Sequence, residues 1–381
     1  MSKKLIIPVF FLVLLFPLTN SVFNIAPKSE LVERRRLAGK PGFTLNSLFE
    51  FPGAYTRYYN DHFPLRDRFI FWNNLLRLKL FGISAIPKVV VGKQGWLFMH
   101  EAGLGESTVD YYRSARLFSR RELAHWKRVL EERRQWLSAR GIRYLFLIAP
   151  NKNTIYPENM PDNIRRVRPY SRMDQLISYL NKYSSVAAPD VRKALLRAKR
   201  NYPVYSRTDT HWNEYGAYIA YREIMKYISR WFDGAEALPL SRFKIGFQNW
   251  SGGDLAEMLF LHQEVLREDI IRLRAQPPLE FDGAGLGNIS RLVREGFTRC
   301  ETAPLPNILM VHDSFYKRLK PYLSASFSRV LYIWDWGMNF YPDIIEREKP
   351  TLVIDEMAER FLLGPPPGNG VLKATKLHEN N

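Results

Sequence analysis

The sequence predicts an α/β fold in which a parallel sheet carries helices on both faces. Three observations lead to this prediction. Apolar runs that suit strands alternate with helical patterns over residues 308–363, an order typical of right-handed strand–helix–strand crossovers. Residues 144–149 form a continuous apolar run that Pro150 ends, as expected for a strand buried on both faces. The chain has 381 residues, of which 46% are hydrophobic, and this is enough for a packed core.

The N-terminal segment predicts a signal anchor or a signal peptide over residues 1–25. Lys3 and Lys4 precede an apolar run, and no clear small-residue cleavage site follows it. The run is just long enough to span a bilayer, which favours an uncleaved anchor over a removed peptide. Against an anchor, Arg34–Arg36 lies soon after the span on the translocated side. Either way the body of the chain is expected outside the cytoplasm, which excludes nucleic acid as a partner.

A polar, charged stretch over residues 26–43 is predicted to form a stalk, and residues 44–363 are predicted to form the domain. Aromatic residues between positions 49 and 82 recur at the spacing of two short amphipathic helices. Glycines within residues 89–98 predict a hairpin with a two-residue turn. The polar tail over residues 364–381, which opens with a proline- and glycine-rich run, is predicted to be disordered.

The other elements of the domain are predicted from apolar spacing and from start and stop signals. The expected helices cover residues 119–141 (opened by a capping box), 173–183, 190–197, 215–232, 316–324, a short stretch near 344, and 356–363. The expected strands cover residues 144–149, 186–188, 308–311, 330–333 and 352–354. Residues 234–305 are less regular, and glycine-rich stretches at 252–254 and 283–285 are predicted to be loops.

The composition restricts the class of partner. The chain carries 56 Lys and Arg residues against 38 Asp and Glu residues, a formal net charge of +18. A charge of this sign favours an anionic partner, which outside the cytoplasm means an acidic polymer or the head groups of anionic lipids. The single cysteine, Cys300, excludes an intramolecular disulfide and argues against a zinc site built from thiolates.

The first candidate for chemistry is Asp209-Thr210-His211, which precedes a long helical pattern. An Asp that accepts a hydrogen bond from one imidazole nitrogen leaves the other nitrogen as a base that can activate a hydroxyl. The alternative is structural, with Asp209 or Asn213 capping the helix and His211 at the surface. No metal site is predicted, because two possible ligands without an evident third make a poor site. No cofactor is predicted either.

The second candidate is Ser314, which follows the apolar run 308–311 and opens a helical pattern. Functional groups gather at the carboxyl ends of parallel strands, and backbone N–H groups at the start of a helix can hold an oxyanion. The alternative is that Asp313 or Ser314 only caps the helix. His312 shares a strand face with Ser314, so it is either a rival base or a residue that lines the pocket.

Residues close to these two stretches, or at the end of the buried strand 144–149, are candidate substrate contacts. For most of them the alternative is ordinary loop or turn structure. The candidates are Lys152, Asn153, Trp212, Asp254 and His312.

Several stretches carry a resemblance to a known family. They are Asp209–Trp212 before a helix, Asp313–Phe315 after a strand, and residues 62–66, 95–98, 150–158, 252–259 and 349–360. Together they resemble the SGNH-hydrolase-like domain of bacterial alginate O-acetyltransferases and related exopolysaccharide acetylation proteins. The resemblance covers about residues 45–363, and each stretch alone is a weak signal.

The resemblance implies a flavodoxin-like three-layer fold in circularly permuted order, with the acid and the base before the nucleophile. It implies that Ser314 is the nucleophile and forms a covalent acetyl ester, that His211 acts as general base and then acid, and that Asp209 orients His211. His312 departs from the pattern, because the nucleophile block of the broader superfamily usually carries Gly before Asp-Ser.

The resemblance also implies a periplasmic enzyme, held at the inner membrane by its N-terminal segment. A membrane-bound O-acyltransferase partner would supply acetyl groups, and hydroxyls of a polysaccharide would receive them. A carbohydrate-binding module after the domain is not expected, so the polymer would be captured by the domain itself or by a partner.

Two other functions stay open. An esterase of the same fold would remove acetyl groups with the same residues, and the sequence does not separate it from a transferase. A scaffold in a polysaccharide secretion complex would keep the fold without the chemistry. An acetyltransferase is the prediction because the separate motifs support one another.

Overall fold

The computed structural model describes residues 36–44, 47–63, 66–100, 107–288 and 294–364, with a few short pieces between residues 6 and 19. Most of the predicted anchor (1–25), much of the predicted stalk (26–43) and nearly all of the predicted tail (364–381) therefore lie outside the described residues. Within the described residues, no helix combines the length and the apolar character needed to cross a bilayer.

The chain divides into two compact units. The first comprises residues 1–85 with Leu259–Leu261. It contains helices α1 (Phe51–His62) and α2 (Arg66–Phe81), so the two helices predicted from the aromatic spacing are confirmed. The second unit comprises residues 86–258 and 262–381 and holds the main sheet and the candidate site.

The strands of the second unit are β1 (Val89–Val91), β2 (Leu97–Met99), β3 (Arg143–Ala149), β4 (Phe243–Trp250), β5 (Glu268–Ala275), β6 (Asp282–Asn288), β7 (Arg294–Arg299), β8 (Ile308–His312), β9 (Arg329–Trp334) and β10 (Leu352–Ala358). Its helices are α3 (Thr108–Arg113), α4 (Arg120–Ser138), α5 (Lys152–Ile155), α6 (Arg172–Tyr183), α7 (Arg192–Ala198), α8 (Glu214–Ile228), α9 (Asp254–Met258), α10 (Tyr316–Ser326) and α11 (Pro342–Glu348).

The main sheet has the order β3-β10-β8-β9-β7-β6. Strands β3, β10, β8 and β9 are parallel to one another, whereas β7 and β6 continue the sheet in antiparallel fashion. The predicted parallel sheet is thus confirmed for four strands, and the complete sheet is mixed. The carboxyl ends of β3, β10 and β8 lie side by side, and the candidates Lys152 and Ser314 follow two of these strands.

Helices cover both faces of the sheet, as predicted, because successive residues of each strand point to opposite sides. Leu145 and Leu147 of β3 pack in one cluster with Tyr218 of α8 and Leu323 of α10. Phe146, between the two leucines, packs in the other cluster, which is built around α4, α6 and α11. The result is a three-layer α/β unit.

The region from residue 234 to 305 is more regular than predicted. Strands β4 and β5 pair over eight residues in a separate two-stranded sheet, and β6 and β7 form the antiparallel edge of the main sheet. The prediction missed β4 and β5 because their outward-facing positions are polar. The predicted loop at 283–285 was wrong. Gly283 lies within β6, where an added Cβ would come within 2.7 Å of the Phe297 carbonyl oxygen.

The predicted helix at 356–363 was also wrong. Strand β10 continues to Ala358, where it still pairs with Ala149 of β3, and a 3₁₀ turn over Glu359–Leu363 follows. Glu356 and Glu359 suggested the polar face of a helix, but both are fully buried. The hairpin of β1 and β2 is confirmed, although its connection is longer than two residues and contains a 3₁₀ turn.

Candidate active site

Ser314 lies in a tight turn between β8 and α10. The carboxylate of Asp313 shapes this turn, because Oδ1 accepts from the backbone N–H of Phe315 at 2.9 Å and Oδ2 accepts from that of Ala358 at 2.7 Å. The second bond ties the turn to the end of β10. Asp313 therefore organises the backbone around the serine, and Ser314 itself is not a helix cap, since α10 has no side-chain cap.

The structure brings Asp209, His211 and Ser314 together. His211 Nε2 lies 2.7 Å from Ser314 Oγ, and its Nδ1 lies 2.7 Å from Asp209 Oδ1. The same Asp209 oxygen accepts from the backbone N–H of His211 at 2.8 Å. Asn213 caps α8 through the N–H of Gly216, which leaves Asp209 available to the imidazole. This arrangement is one that can withdraw a proton from a hydroxyl.

Two buried carboxyl groups flank His211, and their surroundings move their pKa values in opposite directions. Burial acts to raise the pKa of Asp209, but its hydrogen bonds from His211 and the charges of His211 and Arg318 outweigh burial, so the pKa is lowered. Burial, and then the neighbouring charge of Asp209, raises the pKa of Asp254. When the pKa values of two neighbouring acids are moved apart in this way, the acid with the lower pKa is the one that carries the negative charge first. Asp209 is therefore the ionised partner of His211.

Asp254 is a predicted substrate contact, but both oxygens of its carboxylate accept hydrogen bonds from Thr210. Its Oδ1 accepts from the Thr210 N–H at 2.8 Å, and its Oδ2 accepts from the Thr210 hydroxyl. With Asp209 and His211 it forms a group whose possible ligand atoms lie within 4.8 Å of one another, so the structure adds a third possible metal ligand to the two that the sequence offered. Hydrogen bonds already engage both imidazole nitrogens of His211.

The loop that carries Asp209 is held from three sides. The carboxylate of Glu268 accepts from the N–H groups of Arg207 and Thr208 at 2.7 and 2.9 Å. Gly253 packs directly against Asp209, and a Cβ at this glycine would lie 2.5 Å from the Asp209 Cβ. Lys152 provides the third support. The sequence signal for Gly253 was its place in the Gly-Gly-Asp stretch, whereas no local signal pointed to Glu268.

Lys152 holds the loop through its ammonium group, which donates to the carbonyl oxygens of Ser206, Arg207 and Asp209 at 3.1, 2.9 and 2.6 Å. All three donors are thus directed at the backbone. Burial lowers the pKa of Lys152 to about 8, although the nearby acids, Asp209 first, oppose this change. The structure therefore places this predicted substrate contact underneath the loop of the acid.

Lys152→Met is expected to lower kcat on an acetyl ester by about 10²-fold, because the freed loop can shift Asp209 away from the productive geometry. Turnover of p-nitrophenyl acetate, an artificial donor, measures this. Lys199→Met is the matched control, since Lys199 donates to the Ile155 carbonyl at 2.6 Å, outside the loop. If Lys152→Met raised only the KM for a glycan acceptor, Lys152 would be the substrate contact that the sequence predicted.

Trp212 and Asn153 are both buried. The Trp212 side chain has no exposed surface, and its Nε1–H donates to the carbonyl oxygen of Phe315 at 3.0 Å. This bond joins the histidine stretch to the serine turn. Asn153 is 4% exposed, and within the described structure its Oδ1 has no hydrogen-bond partner. Of the two, Asn153 retains an atom that a ligand can use.

His312 lies within an aromatic cluster. Its ring stacks on Tyr316 with centroids 3.5 Å apart, edge contacts follow to Tyr332 and Trp334, and Nδ1 lies 2.9 Å from the Asp313 carbonyl oxygen. The residue is 1% exposed. Burial lowers its pKa to about 3, while the Asp313 carbonyl acts in the opposite direction. The imidazole that lies against Ser314 is that of His211.

His312 is expected to make the fold sensitive to acid. An unfolded His has a pKa near 6.5, so between this value and about 3 the unfolded chain binds one more proton than the folded chain. The free energy of unfolding then falls as pH falls through this window, by up to about 1.4 kcal/mol per pH unit. His312→Phe should reduce this slope by about one proton, measured by urea unfolding at several pH values.

The matched control for this prediction is His125→Phe. His125 is exposed on α4, so replacing it should leave the slope unchanged. An unchanged slope in His312→Phe would contradict the prediction.

The comparisons with known proteins bear on this site and fold. A family model described as "SGNH hydrolase-like domain, acetyltransferase AlgX" matches residues 89–359. The probable alginate O-acetylase AlgJ of Pseudomonas aeruginosa is 30% identical over 171 residues, which is 43% of this chain and 39% of that protein. The chain thus spans about two fifths of the length of the curated relatives it matches.

Solved structures show the same fold at low sequence identity. PatB1 of Bacillus cereus superposes with a TM-score of 0.54 at 16% identity, covering 74% of this chain and 97% of that one. A DHHW family protein of Eubacterium siraeum gives a TM-score of 0.52 at 17% identity, covering 73% and 96%. The predicted family is confirmed by the model match, which covers most of the chain: this protein belongs to the family of SGNH-hydrolase-like domains described for the acetyltransferase AlgX.

Proposed function

We propose that this protein is an O-acetyltransferase that moves acetyl groups to hydroxyls of an exopolysaccharide through Ser314, His211 and Asp209. The observation that carries the proposal is the unbroken line of contacts from Asp209 Oδ1 to His211 and from His211 Nε2 to Ser314 Oγ, each 2.7 Å long. Family membership and relatives named as probable alginate O-acetylases support acetyl transfer. In chain order the acid and base precede the nucleophile, in keeping with a circularly permuted SGNH hydrolase.

In the first step Ser314 Oγ adds to the carbonyl carbon of the acetyl donor, and His211 Nε2 takes the hydroxyl proton. The bond from that carbon to the donor's leaving group breaks, and the leaving group receives the proton from Nε2. Asp209 holds the imidazole in the tautomer that keeps Nε2 free and stabilises the imidazolium. The product is an acetyl ester on Ser314.

In the second step a sugar hydroxyl adds to the same carbonyl carbon, and Nε2 takes its proton. The bond from the carbon to Oγ breaks, Oγ recovers the proton, and the acetylated sugar leaves. Water can perform the same attack. Transfer therefore requires that the site hold the sugar hydroxyl in place more effectively than it admits water.

The proposed setting is the periplasm, with a membrane-bound O-acyltransferase partner as the source of acetyl groups. The N-terminal residues 1–25 would hold the chain at the inner membrane, with residues 26–43 as a stalk, 44–363 as the acetyltransferase domain and 364–381 as a tail. The net charge of +18 suits an anionic polysaccharide such as an alginate-like polymer, and it equally suits anionic lipid beside the anchor.

A product assay tests this function. The full chain is given p-nitrophenyl acetate with water alone, with a neutral cello-oligosaccharide or with an oligouronate, and mass spectrometry follows the glycan. Acetylated glycan is the expected product. Free acetate without acetylated glycan in all three mixtures would mean an esterase. Neither product, with no acetyl ester on Ser314, would leave a scaffold without chemistry.

A further inference from the structure

A small polar cavity lies at the carboxyl ends of β2, β3 and β10. It has a volume of about 20 Å³, little more than the room that one water molecule needs. Phe98 and Met99 form its apolar side, and the polar side chains on its wall include Asn151, Asn153 and Arg360. Five separate parts of the chain therefore meet around a space of a few atoms.

Three polar side chains on the wall of this cavity have groups without a hydrogen-bond partner among the described residues. Arg360 is 8% exposed, and no hydrogen bond or ion pair joins its guanidinium to any residue that the structure describes. Two further atoms on this wall, Nδ2 of Asn151 and Oδ1 of Asn153, are buried and have no hydrogen bond to any described residue. Buried polar atoms are nearly always satisfied, so a group of unsatisfied ones around one space indicates a ligand.

The cavity adjoins the candidate triad. Thr210, which lies between Asp209 and His211, is part of its wall. The guanidinium carbon of Arg360 lies 5.4 Å from the ring centroid of Phe315, and the same ring lies 4.9 Å from that of His211. Arg360 and the His211 imidazole therefore both contact the Phe315 ring. Because Phe315 directly follows Ser314, both groups lie near the turn that carries the nucleophile.

Glu356 is a buried acid whose charge interacts with that of Arg360. Burial, and then the charge of Asp313, raises the pKa of Glu356 well above its ordinary range, and the opposing effect of Arg360 does not reverse this. This shift disfavours the charged form of Glu356, the acid that would otherwise balance the charge of Arg360. A buried cation without a counter-charge is costly unless an electron-rich group is bound beside it during function.

We propose that this cavity receives the acetyl group carried by Ser314 and that Arg360 is a catalytic residue that donates to its carbonyl oxygen. The inference rests on the proposed function. When Ser314 Oγ adds to the carbonyl carbon, the carbonyl π pair moves onto the oxygen, and a fixed cation stabilises the resulting negative charge. The charge returns to the carbonyl bond as the leaving group departs with the proton from His211.

The size of the cavity further implies selectivity for the acyl group. An acetyl group places only a methyl and an oxygen beyond the carbonyl carbon, whereas a space of this size leaves no room for a longer acyl chain. A butyryl group adds two methylenes that would meet the side chains of Phe98 and Met99. Met99 is thus a specificity-determining residue for acyl length.

Arg360→Gln tests the catalytic role with p-nitrophenyl acetate and the full-length protein. Loss of a donor to the developing oxyanion is expected to lower kcat by about 10²- to 10³-fold with little change in KM. Arg360→Lys should recover part of kcat. Arg230→Gln is the matched control, because Arg230 also lies over an aromatic ring, that of Tyr227, but is exposed, and it should leave both constants unchanged. Unchanged kcat in Arg360→Gln, or a change in KM alone, would overturn the proposal.

Met99→Ala tests the same pocket without touching the buried cation, so it is informative even if an Arg360 variant folds poorly. The ratio of p-nitrophenyl butyrate to acetate turnover should rise by about tenfold, since each methylene in an apolar pocket has an effect of that order. An unchanged ratio would count against the pocket. Ser314→Ala distinguishes failure of the proposed function from failure of this inference. If Ser314→Ala retains turnover, the proposed function fails. If Ser314→Ala loses turnover while Arg360→Gln keeps normal turnover, only this inference is rejected.

Discussion

Ser314→Ala is expected to lower acetyl transfer by about 10⁴- to 10⁶-fold, because no other hydroxyl can take up the acetyl group at this position. His211→Ala should lose a similar factor, since Oγ would then keep its proton. The double variant should be no worse than either single one, because the two side chains act as a unit. Initial rates with p-nitrophenyl acetate and an oligouronate acceptor measure all three.

The control for this series is Ser328→Ala, which removes an exposed serine of the same unit and should leave the rate unchanged. Circular dichroism should show that all variants keep the fold, because the hydroxyl at 314 is only half-buried. A double variant that loses the product of the two single factors would show that Ser314 and His211 act independently, against the proposed mechanism.

Arg133→Met is expected to lower the free energy of unfolding by about 3–5 kcal/mol, because it leaves a buried charge without its partner. Arg133 is fully buried, and its Nη1 lies 2.6 Å from Asp355 Oδ2, which also accepts from the Tyr144 hydroxyl at 2.6 Å. Its Nη2 donates to the Met338 carbonyl oxygen at 2.7 Å. This group joins α4 to the centre of the sheet, so equilibrium unfolding in urea should show the full loss.

Arg134→Met is the matched control. The next arginine along the helix pairs with Glu131 at 2.8 Å, but the Arg134 side chain is 28% exposed, and a pair of this kind contributes at most about 1 kcal/mol. Replacing both buried partners, as in Arg133→Met with Asp355→Leu, should recover much of the lost stability. A single Arg133→Met variant as stable as the control would contradict the prediction.

Long apolar runs made most of the fold predictable. Residues 144–149 and 308–311 are buried on both faces, so their strand character is visible without any partner. The antiparallel strands were not predicted, because β6 contains three glycines within seven residues and polar residues interrupt the apolar residues of β4. Such strands are defined by the strand they pair with, and a local window does not contain that information.

The site was predictable to a different degree at each residue. Asp209, His211 and Ser314 could be proposed because the chemistry requires those residue types, and they do meet in space. Lys152 was interpreted as a substrate contact, since sequence does not reveal that three distant carbonyl oxygens use all of its donors. Arg360 lies in one of the stretches that carry the family resemblance but was given no role, because it lay in a predicted helix and only the true end of β10 places it at the cavity.

Lys152, Glu268 and Gly253 fix the acid and the base before any substrate arrives. In such an enzyme the catalytic residues are in their reactive arrangement without substrate. An activated ester that reaches Ser314 would therefore be cleaved whether or not a sugar is present. Under the proposed function, hydrolytic loss of acetyl groups would then be limited by control over donor delivery rather than by assembly of the site. A serine-directed sulfonyl fluoride should label Ser314 equally fast with and without glycan, whereas acceleration by glycan would mean that the polymer completes the site.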